Sequence, residues 1–306
     1  MIKENLPLEL LTKHLPTLGL REPLIIEDVN YLLQKIETKA ESAVVFLPKS
    51  KPLIDMTLSL VSSIVTEGGL VVLAGEKKAG IESAKKLYET NIGPVDQKIV
   101  GNHSALYVGS NRKLGAGKKQ NDFLSYVTQT YKEHSLEIAN FPGVFSSGEL
   151  DAGTQLLLET IPYTAKRVLD VGCGAGTIAA FYKTVRPDSI VTACDISLAA
   201  VHASKATAQK NNLDLQIVTS DVFSNITGTF DLILANPPFH TGIETDYSFM
   251  GKFAEHARKF LAPHGEIYIV ANSFLSYTKL LEEHVGKTEL VIDNGKFKIL
   301  KTVVAI

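Results

Sequence analysis

The sequence predicts an α/β fold built as two tandem domains that share one order of elements. Apolar strands alternate with amphipathic helices along the chain, a pattern typical of parallel sheets covered by helices. The 306 residues exceed the roughly 100–200 residues of a usual domain. The order strand, helix, strand, helix, strand, strand occurs near the N-terminus and again from residue 232. We therefore expect one domain over residues 1–125 and a second over residues 126–306.

Composition and charge exclude several classes of protein. A hydrophobic content of 45% with 21% charged residues fits a globular protein. No apolar run approaches the roughly 20 residues of a transmembrane helix, and the string MIKENLPLELL lacks the apolar run of a signal peptide. Two cysteines, Cys173 and Cys194, give no disulfide scaffold and suit a reducing cytoplasm. The formal net charge of −2 gives no global case for nucleic acid, so RNA binding would need local patches.

The N-terminal domain is expected to be a parallel α/β layer with an antiparallel edge. Its predicted elements are a helix at 29–39, a strand at 43–47, a helix at 53–65 stopped by Gly68 and Gly69, a strand at 70–74, a helix at 81–88, and a hairpin of 98–100 with 105–108. The second copy of this order consists of a strand at 232–235, a helix near 249–261, a strand at 267–271 after Pro263-His264-Gly265, a helix near 277–284, and strands at 289–292 and 297–303.

We interpret the N-terminal domain as a degenerate copy of this second half. The string Leu47-Pro48-Lys49-Ser50 stands where the second copy has Asn236-Pro237-Pro238-Phe239, and no glycine-rich turn precedes it. The copy therefore keeps the scaffold and lacks the chemistry. The alternative is an unrelated small α/β domain.

The connector between the domains is basic. Positions 111–121 contain four cations and three small residues but no acid, so this loop could lie on a phosphate backbone or be a solvated surface loop. Lysines that follow strand ends could join it in one basic face; they are Lys49, Lys51, Lys77 and Lys78. The segment 126–138 is compatible with strand or helix. Asp151 is expected to cap a helix at 152–160, and whether Asp151 and Gly148 also cover a ligand stays open.

A rigid turn follows the strand at 232–235. Proline has no N–H to give to a sheet, so Pro237 and Pro238 end the strand in a stiff turn. The residue before a proline is held extended, which aims the Asn236 side chain outward together with backbone carbonyls and the Phe239 ring. The carboxyl ends of strands are where open α/β sheets bind ligands. Such a turn could hold a planar group that carries an amino group.

A glycine turn follows another predicted strand, Arg167–Val171. It consists of Gly172, Cys173, Gly174, Ala175 and Gly176 and precedes a helix at 177–184. Such a turn lets backbone approach a ligand closely, although the glycines could serve only helix packing. A dinucleotide fingerprint would need glycine at position 177, which is threonine here. Asp170, just before the turn, suits a cationic ligand better than a pyrophosphate. Cys173 is interpreted as a small filler and not as a nucleophile.

Two further acids end the next predicted strands. Asp195 follows a strand at 190–194 and could hold both hydroxyls of a ribose. Asp221 follows a strand at 215–219 and, beside the backbone N–H of Val222, could pair with adenine. As alternatives, Asp195 could cap the helix from Ser197 and Asp221 could cap a local turn. The full set at these strand ends fits S-adenosylmethionine (SAM), and the predicted cofactor-binding residues are Asp170, Gly172, Cys173, Gly174, Gly176, Asp195, Ile196, Asp221, Val222 and Asn236.

These motifs together resemble class I SAM-dependent methyltransferases that act on exocyclic amino groups. More narrowly, the chain is similar to the bacterial small-subunit rRNA methyltransferase C family, which are guanine-N2 methyltransferases of 16S rRNA. The strings that carry the narrower match are FPGVFSSGELDAGTQLLL (141–158), NPPFH (236–240), IVANSFLSY (269–277) and GKFKILKTV (295–303), with FLPKSKP (46–52) and AGEKKAGIESAKKL (74–87) in the N-terminal domain.

The resemblance implies two tandem class I methyltransferase-like (Rossmann-like) domains, of which the first has lost its cofactor site. That first domain would serve RNA recognition or folding support. The implied cofactor is SAM, the implied partner is 16S rRNA or the small ribosomal subunit, and we expect a cytoplasmic monomer. We expect no membrane association and no metal, because no cluster of His, Cys and Asp has the spacing of metal ligands.

The predicted catalytic residues are Asn236, Pro237 and Phe239. Guanine N2 is a poor nucleophile, and hydrogen bonds from N2 to the Asn236 side chain and the Pro237 carbonyl would stabilise the cation that forms. Phe239 would stack on the base. The alternatives are methylation of a large-subunit guanine, of an adenine or of a protein glutamine amide, and a non-catalytic ribosome assembly factor. An NAD-dependent oxidoreductase is disfavoured by the glycine spacing.

Overall fold

The computed structural model of the chain describes residues 6–20, 22–34, 39–113, 118–145, 149–237 and 243–304. The chain divides into two compact units, Met1–Leu124 and Ser125–Ile306, here called the N-terminal and C-terminal units. None of the helices in the described ranges is long and apolar enough to cross a membrane.

The N-terminal unit contains a five-stranded sheet. Its elements are α1 (Leu6–His14), β1 (Leu24–Ile26), α2 (Val29–Leu33), β2 (Ala40–Phe46), α3 (Lys51–Ile64), β3 (Val65–Glu76), α4 (Ile81–Asn91), β4 (Gln97–Gly101) and β5 (Ser104–Ser110), with 3-10 turns at Leu15–Thr17 and Gln120–Phe123. The strand order is β1-β2-β3-β5-β4. The first three strands in this order pair in parallel, and β5 pairs antiparallel with both β3 and β4. This confirms the predicted parallel layer with an antiparallel edge.

The C-terminal unit contains a seven-stranded sheet and a separate hairpin. Its elements are β6 (Ser125–Tyr131), β7 (His134–Asn140), α5 (Ala152–Thr160), β8 (Arg167–Val171), α6 (Thr177–Val185), β9 (Ile190–Asp195), α7 (Leu198–Lys210), β10 (Gln216–Thr219), β11 (Phe230–Ala235), α8 (Ile243–Ala257), β12 (Leu261–Asn272), α9 (Thr278–His284), β13 (Lys287–Asp293) and β14 (Phe297–Val303), with a 3-10 turn at Arg258–Phe260. The sheet order is β10-β9-β8-β11-β12-β14-β13, and β6 pairs with β7. The ambiguous segment 126–138 is thus a β-hairpin.

The strand order fixes where a ligand can bind. The chain runs outward from β8 to β9 and β10 and then crosses back to β11 on the other side of β8. Open α/β sheets bind ligands at the carboxyl ends of strands beside such a reversal. Parallel strands buried on both faces read as continuous apolar runs, and Leu232, Ile233, Leu234 and Ala235 of β11 are all buried. The residues that follow β8 and β11 are therefore held by a rigid core.

The two units share one strand topology. The order β1-β2-β3-β5-β4 corresponds to β8-β11-β12-β14-β13. Both β3 and β12 have 12 residues and shift register against the preceding parallel strand. Their fourth residues, Gly68 and His264, have positive φ of 75° and 63°. A Cβ on the fifth residue would lie 2.6 Å from a β2 carbonyl in the case of Gly69 and 2.9 Å from a β11 carbonyl in the case of Gly265. These matches confirm that the N-terminal unit is a degenerate copy.

The copy has lost the elements that would carry cofactor chemistry. Within its described residues it has no counterparts of β9 and β10, which lead to Asp195 and Asp221. The register of β1 against β2 places Ile25 where β8 has Asp170. Phe46 lies opposite Ala74, the tenth residue of β3, so Phe46 is the counterpart of Asn236. The sequence comparison had placed Leu47 there, one residue too late.

Several predicted boundaries were wrong for identifiable reasons. The pair Gly68-Gly69 does not stop a helix, because α3 already ends at Ile64 and β3 includes both glycines. The turn at 263–265 likewise lies inside β12. Helix α2 ends at Leu33, since Gln34 is extended with ψ 151°, and residues 35–38 lie outside the described ranges. The short strand β1 and helix α1 were not predicted.

Candidate cofactor and amino-group site

Asp170 is a fully buried carboxylate near the end of β8. Its Oδ2 accepts a hydrogen bond from the Ala179 N–H of α6 at 3.2 Å, and its Oδ1 has no partner among the described residues. The pKa of Asp170 is raised to about 7, mainly by burial and to a smaller extent by the nearby Asp195, against the opposing effect of the Ala179 N–H. A buried carboxylate with an unpartnered oxygen is costly. A cationic group of a ligand would supply the missing counter-charge.

The three glycines of the turn have left-handed backbones but different surroundings. Their φ values are 75° at Gly172, 54° at Gly174 and 80° at Gly176. A Cβ at Gly176 would lie 2.7 Å from Ser204 Oγ on α7, whereas at Gly172 and Gly174 the nearest atoms would be 3.9 and 3.7 Å away. Gly176 therefore serves helix packing, and the other two leave space beside the backbone. The packing interpretation therefore applies to Gly176, and the approach of a ligand at Gly172 and Gly174 stays a prediction.

Cys173 anchors the turn through its backbone. The N–H groups of Gly172 and Cys173 both donate to the Cys194 carbonyl at the end of β9, at 2.8 and 2.9 Å. The Cys173 thiol is buried 3.2 Å from Ser204 Oγ. Burial, with the neighbouring carboxylates of Asp170 and Asp195, raises the thiol pKa well above its usual value. A protonated, buried thiol is a poor nucleophile, which agrees with its interpretation as a filler.

Asp195 holds the glycine turn and the start of α7 together. Its Oδ2 accepts from the Gly174 N–H at 3.0 Å and its Oδ1 from the Ser197 N–H at 2.9 Å. The helix cap itself is Ser197, whose Oγ accepts from the Ala200 N–H. Burial raises the pKa of Asp195 against these hydrogen bonds. Each carboxylate oxygen can accept a further hydrogen bond, and the adjacent Ile196 leaves 64% of its surface exposed.

The Asp221-Val222 turn is strained. Val222 has φ 52°, a left-handed backbone conformation that is rare for a β-branched residue and costs free energy. Its carbonyl accepts hydrogen bonds from Ser220 Oγ at 3.0 Å and Cys194 Sγ at 3.4 Å. Asp221 forms an ion pair with Lys252 of α8 through Nζ and Oδ2, 2.5 Å apart. A pocket of about 370 Å³ adjoins this turn, and its lining includes Lys252 and Phe260.

Asn236 immediately follows β11, and its amide is oriented by two neighbours. Its Nδ2 donates to Thr154 Oγ1 at 2.9 Å and to Asp151 Oδ2 at 3.2 Å. A carboxylate only accepts hydrogen bonds, so the NH2 group must face Asp151. Asn236 Oδ1 is buried and has no partner in the described part of the chain. A buried amide oxygen without a donor can accept a hydrogen bond from a ligand.

The rest of the proline turn is only partly described. Pro237 is buried beside Asn236. Pro238, Phe239 and His240 lie outside the described residues, so the stacking role of Phe239 stays a prediction. Gly148 lies outside them as well. No group of three or more His, Cys, Asp or Glu within the described ranges could hold a metal ion.

Comparisons with known proteins identify the family of this chain. Residues 135–301 match the family model described as methyltransferase small domain, and residues 20–126 match the model described as methyltransferase small domain N-terminal. A curated ribosomal RNA small subunit methyltransferase C from Vibrio parahaemolyticus is 34% identical over 264 residues, which cover 86% of this chain and 77% of the relative. The chain belongs to the ribosomal RNA small subunit methyltransferase C family.

One further comparison agrees with this family, and another agrees with its fold. The namesake protein of Salmonella choleraesuis is 37% identical over 86% of this chain and 75% of its own length. The solved structure of a 16S rRNA N2 guanine methyltransferase of T. thermophilus, in complex with AdoMet and guanosine, superposes with a TM-score of 0.76. The two sequences are 24% identical, and the superposition covers 90% of this chain and 76% of the T. thermophilus chain. The expected pair of class I methyltransferase-like domains is thereby confirmed.

Three residues that contact the candidate site were not predicted from the sequence. Thr154 was assigned no role, although it lies three residues after the predicted cap Asp151 and hence at the same helix start. Lys252 on α8 reaches Asp221 from 31 residues away. The ring of Phe249, also on α8, lies 3.9 Å from where a Cβ of Gly172 would be. No local signal identifies the last two, because both contacts depend on how α8 packs.

Proposed function

We propose that this chain transfers a methyl group from SAM to the exocyclic N2 amine of a specific guanine in 16S rRNA. The observation that carries the proposal is the Asn236 amide, whose NH2 is held by Asp151 and Thr154 and whose Oδ1 is buried without a partner. Only a donor such as an amino group satisfies that oxygen. Membership of the small-subunit methyltransferase C family supports 16S rRNA as the source of that amino group.

The strand ends fit SAM in its functional parts. The unpartnered Asp170 Oδ1 suits a cationic group such as the amino group of the methionine moiety. Gly172 and Gly174 leave room for close approach. Asp195 would accept from the ribose hydroxyls while keeping its backbone hydrogen bonds, and the exposed Ile196 would pack on the adenine plane. The list of proposed contacts is completed by Cys173, Gly176, Asp221 and Val222.

The protein's contribution to the reaction is to position and stabilise. When bound, SAM supplies an electrophilic methyl group on a sulfonium. The lone pair of guanine N2 is conjugated with the ring, so N2 must be drawn toward tetrahedral geometry. Hydrogen bonds from N2 to Asn236 Oδ1 and the Pro237 carbonyl would achieve this and stabilise the developing positive charge. Phe239 would stack on the base once it has left its own stack.

The N-terminal unit is proposed to recognise RNA or support folding. Among the lysines of the connector and those that follow strand ends, five are exposed and form no ion pair within the described residues, namely Lys49, Lys51, Lys77, Lys113 and Lys119. Two cations of the connector are already neutralised, because Arg112 pairs with Asp96 at 2.9 Å and Lys118 with Asp55 at 3.0 Å. RNA binding would therefore depend on the unpaired lysines. We further propose that the protein acts as a cytoplasmic monomer.

One labelling experiment tests this function. The purified chain is incubated with methyl-labelled SAM and, separately, with unmodified small subunits, large subunits and naked 16S rRNA, and the RNA is then digested to nucleosides. The proposal predicts label in N2-methylguanosine from 16S rRNA, either in the subunit or as free RNA. Label in 23S rRNA, in adenine or in ribosomal protein would contradict it, as would no transfer at all.

A further inference from the structure

We propose that Asp151 is a positioning residue that orients and polarises the Asn236 amide, with Thr154 as the second group that holds it. This inference rests on the proposed methyl transfer to a guanine amino group and deepens it. It concerns how the acceptor oxygen of Asn236 is aimed and strengthened.

The geometry fixes the amide in one orientation. Asn236 Nδ2 donates to Asp151 Oδ2 at 3.2 Å and to Thr154 Oγ1 at 2.9 Å. If the amide were flipped, Asn236 Oδ1 would face the carboxylate oxygen, and two acceptors would repel each other. The side chain of Asn236 is therefore held with Oδ1 on the side away from Asp151. That oxygen is buried and has no partner within the described chain. Its direction therefore determines where a donor of the substrate must lie to form a hydrogen bond with it.

The negative charge also changes the strength of the acceptor. A hydrogen bond from an amide NH2 to a carboxylate is charge-assisted and stronger than a neutral one. In a low-dielectric site such bonds polarise their neighbours along the chain of groups. Electron density is thus pushed from the NH2 end of Asn236 toward Oδ1. A more negative Oδ1 stabilises the positive charge that develops on guanine N2 during attack.

The start of α5 is built to present this carboxylate. Asp151 is the N-cap, and the same Oδ2 that accepts from Asn236 also accepts from the Thr154 N–H at 2.9 Å. Residue 153 is glycine, and a Cβ there would lie 3.2 Å from Asp151 Oδ2 and 3.0 Å from Val270 Cγ1 of β12. The string Asp151-Ala152-Gly153-Thr154 therefore supplies the acceptor, the clearance and the hydroxyl within one helical turn.

A cap with no catalytic role is the competing explanation, and Asp151→Asn separates the two. One oxygen of Asp151 makes both hydrogen bonds, so an asparagine oxygen in its place keeps both and removes only the charge. We expect kcat to fall about tenfold, with KM for SAM and for RNA and the unfolding midpoint unchanged. Asp151→Ala also releases the amide, and its kcat should fall about a hundredfold or more.

Matched variants control for stability and for the hydroxyl. Thr154→Ser keeps the hydroxyl and should keep kcat, whereas Thr154→Val should lower it. Asp28 is also an N-cap, with Oδ1 accepting from the Asn30 N–H at 2.7 Å, and it belongs to the N-terminal unit. Asp28→Ala therefore loses a helix cap of the same kind and should leave kcat unchanged.

The outcomes distinguish the positioning role of Asp151 from the proposed methyl transfer on which it rests. An inactive wild-type protein on every RNA would refute the methyl transfer itself. An active wild type whose Asp151→Asn and Thr154→Val variants keep kcat within about twofold would overturn the positioning role. A fall in kcat that merely follows a loss of folded protein, as seen by unfolding under assay conditions, would also overturn it. If Asp151→Ala does not fold, Asp151→Asn alone carries the test.

Discussion

Replacing Asp170 by asparagine should stabilise the cofactor-free protein at neutral and alkaline pH. The carboxylate is fully buried, its Oδ1 has no partner in the described chain, and burial raises its pKa to about 7 from an ordinary 3.8. Asparagine has nearly the same shape, can still accept from the Ala179 N–H, and carries no charge. The substitution thus removes the cost of ionising this group inside the fold.

The magnitude and sign of this change in the free energy of unfolding follow from proton linkage. Between about pH 4 and 7 the folded protein keeps a proton on Asp170 that the unfolded chain has released, so stability falls as the pH rises through this range. Three pKa units at about 1.4 kcal/mol each give a loss on the order of 4 kcal/mol, complete above pH 7. The asparagine variant does not titrate and should lack this loss.

Urea unfolding of both proteins without SAM, from pH 5 to pH 8, measures the effect. The variant's advantage in free energy of unfolding should grow with pH and level off above pH 7. Asp231→Asn is the control of opposite sign, because hydrogen bonds from Arg167 outweigh partial burial and lower the pKa of Asp231. Relative to the wild type, that control should be less stable by an amount that is already complete above about pH 4, so its deficit should stay constant from pH 5 to pH 8. An Asp170→Asn advantage that is absent or independent of pH would mean that ionising Asp170 costs the fold no stability.

Further substitutions test the assignments within the cofactor site. Gly176→Ala should lower the free energy of unfolding by about 3 kcal/mol in urea titrations, because it combines a left-handed backbone with a Cβ 2.7 Å from Ser204 Oγ. Gly174→Ala, with its nearest atom at 3.7 Å, should cost only about 1 kcal/mol yet weaken SAM binding. Lys252→Met should change SAM affinity less than about fivefold in calorimetry, since its ion pair with Asp221 is exposed. Asp221→Ala should weaken binding more than about tenfold.

Much of the site could be predicted because it lies at strand ends. Apolar runs identified the strands, and the polar residues that follow parallel strands meet at one edge of a sheet. This rule predicts that Asp170, Asp195 and Asn236 lie near one another at the ends of β8, β9 and β11, as they do in the structure. Their environments could not be predicted in the same way. One oxygen of Asp170 and one of Asn236 lack a hydrogen-bond donor among the described residues. Whether a donor lies nearby is decided by residues that are distant in sequence.

The parts that could not be predicted depend on contacts distant in sequence. Asp151 and Asn236 are 85 residues apart, and only the packing of α5 beside β12 and β14 brings them together. Gly176 carries a packing role because of Ser204, which lies on a different helix. At Gly68-Gly69 the local signal for a helix end was overridden, since the second glycine is needed for close approach to β2.

The central claim is that Asn236 activates a guanine amino group for methyl transfer. Its most direct test is the single-turnover rate of methyl transfer from SAM to unmodified 16S rRNA by Asn236→Ala, with SAM binding measured in parallel. We expect that transfer is lost while SAM affinity stays within a few-fold of the wild type. A variant that retains more than about a tenth of the wild-type rate, a barrier change below about 1.4 kcal/mol, would contradict it.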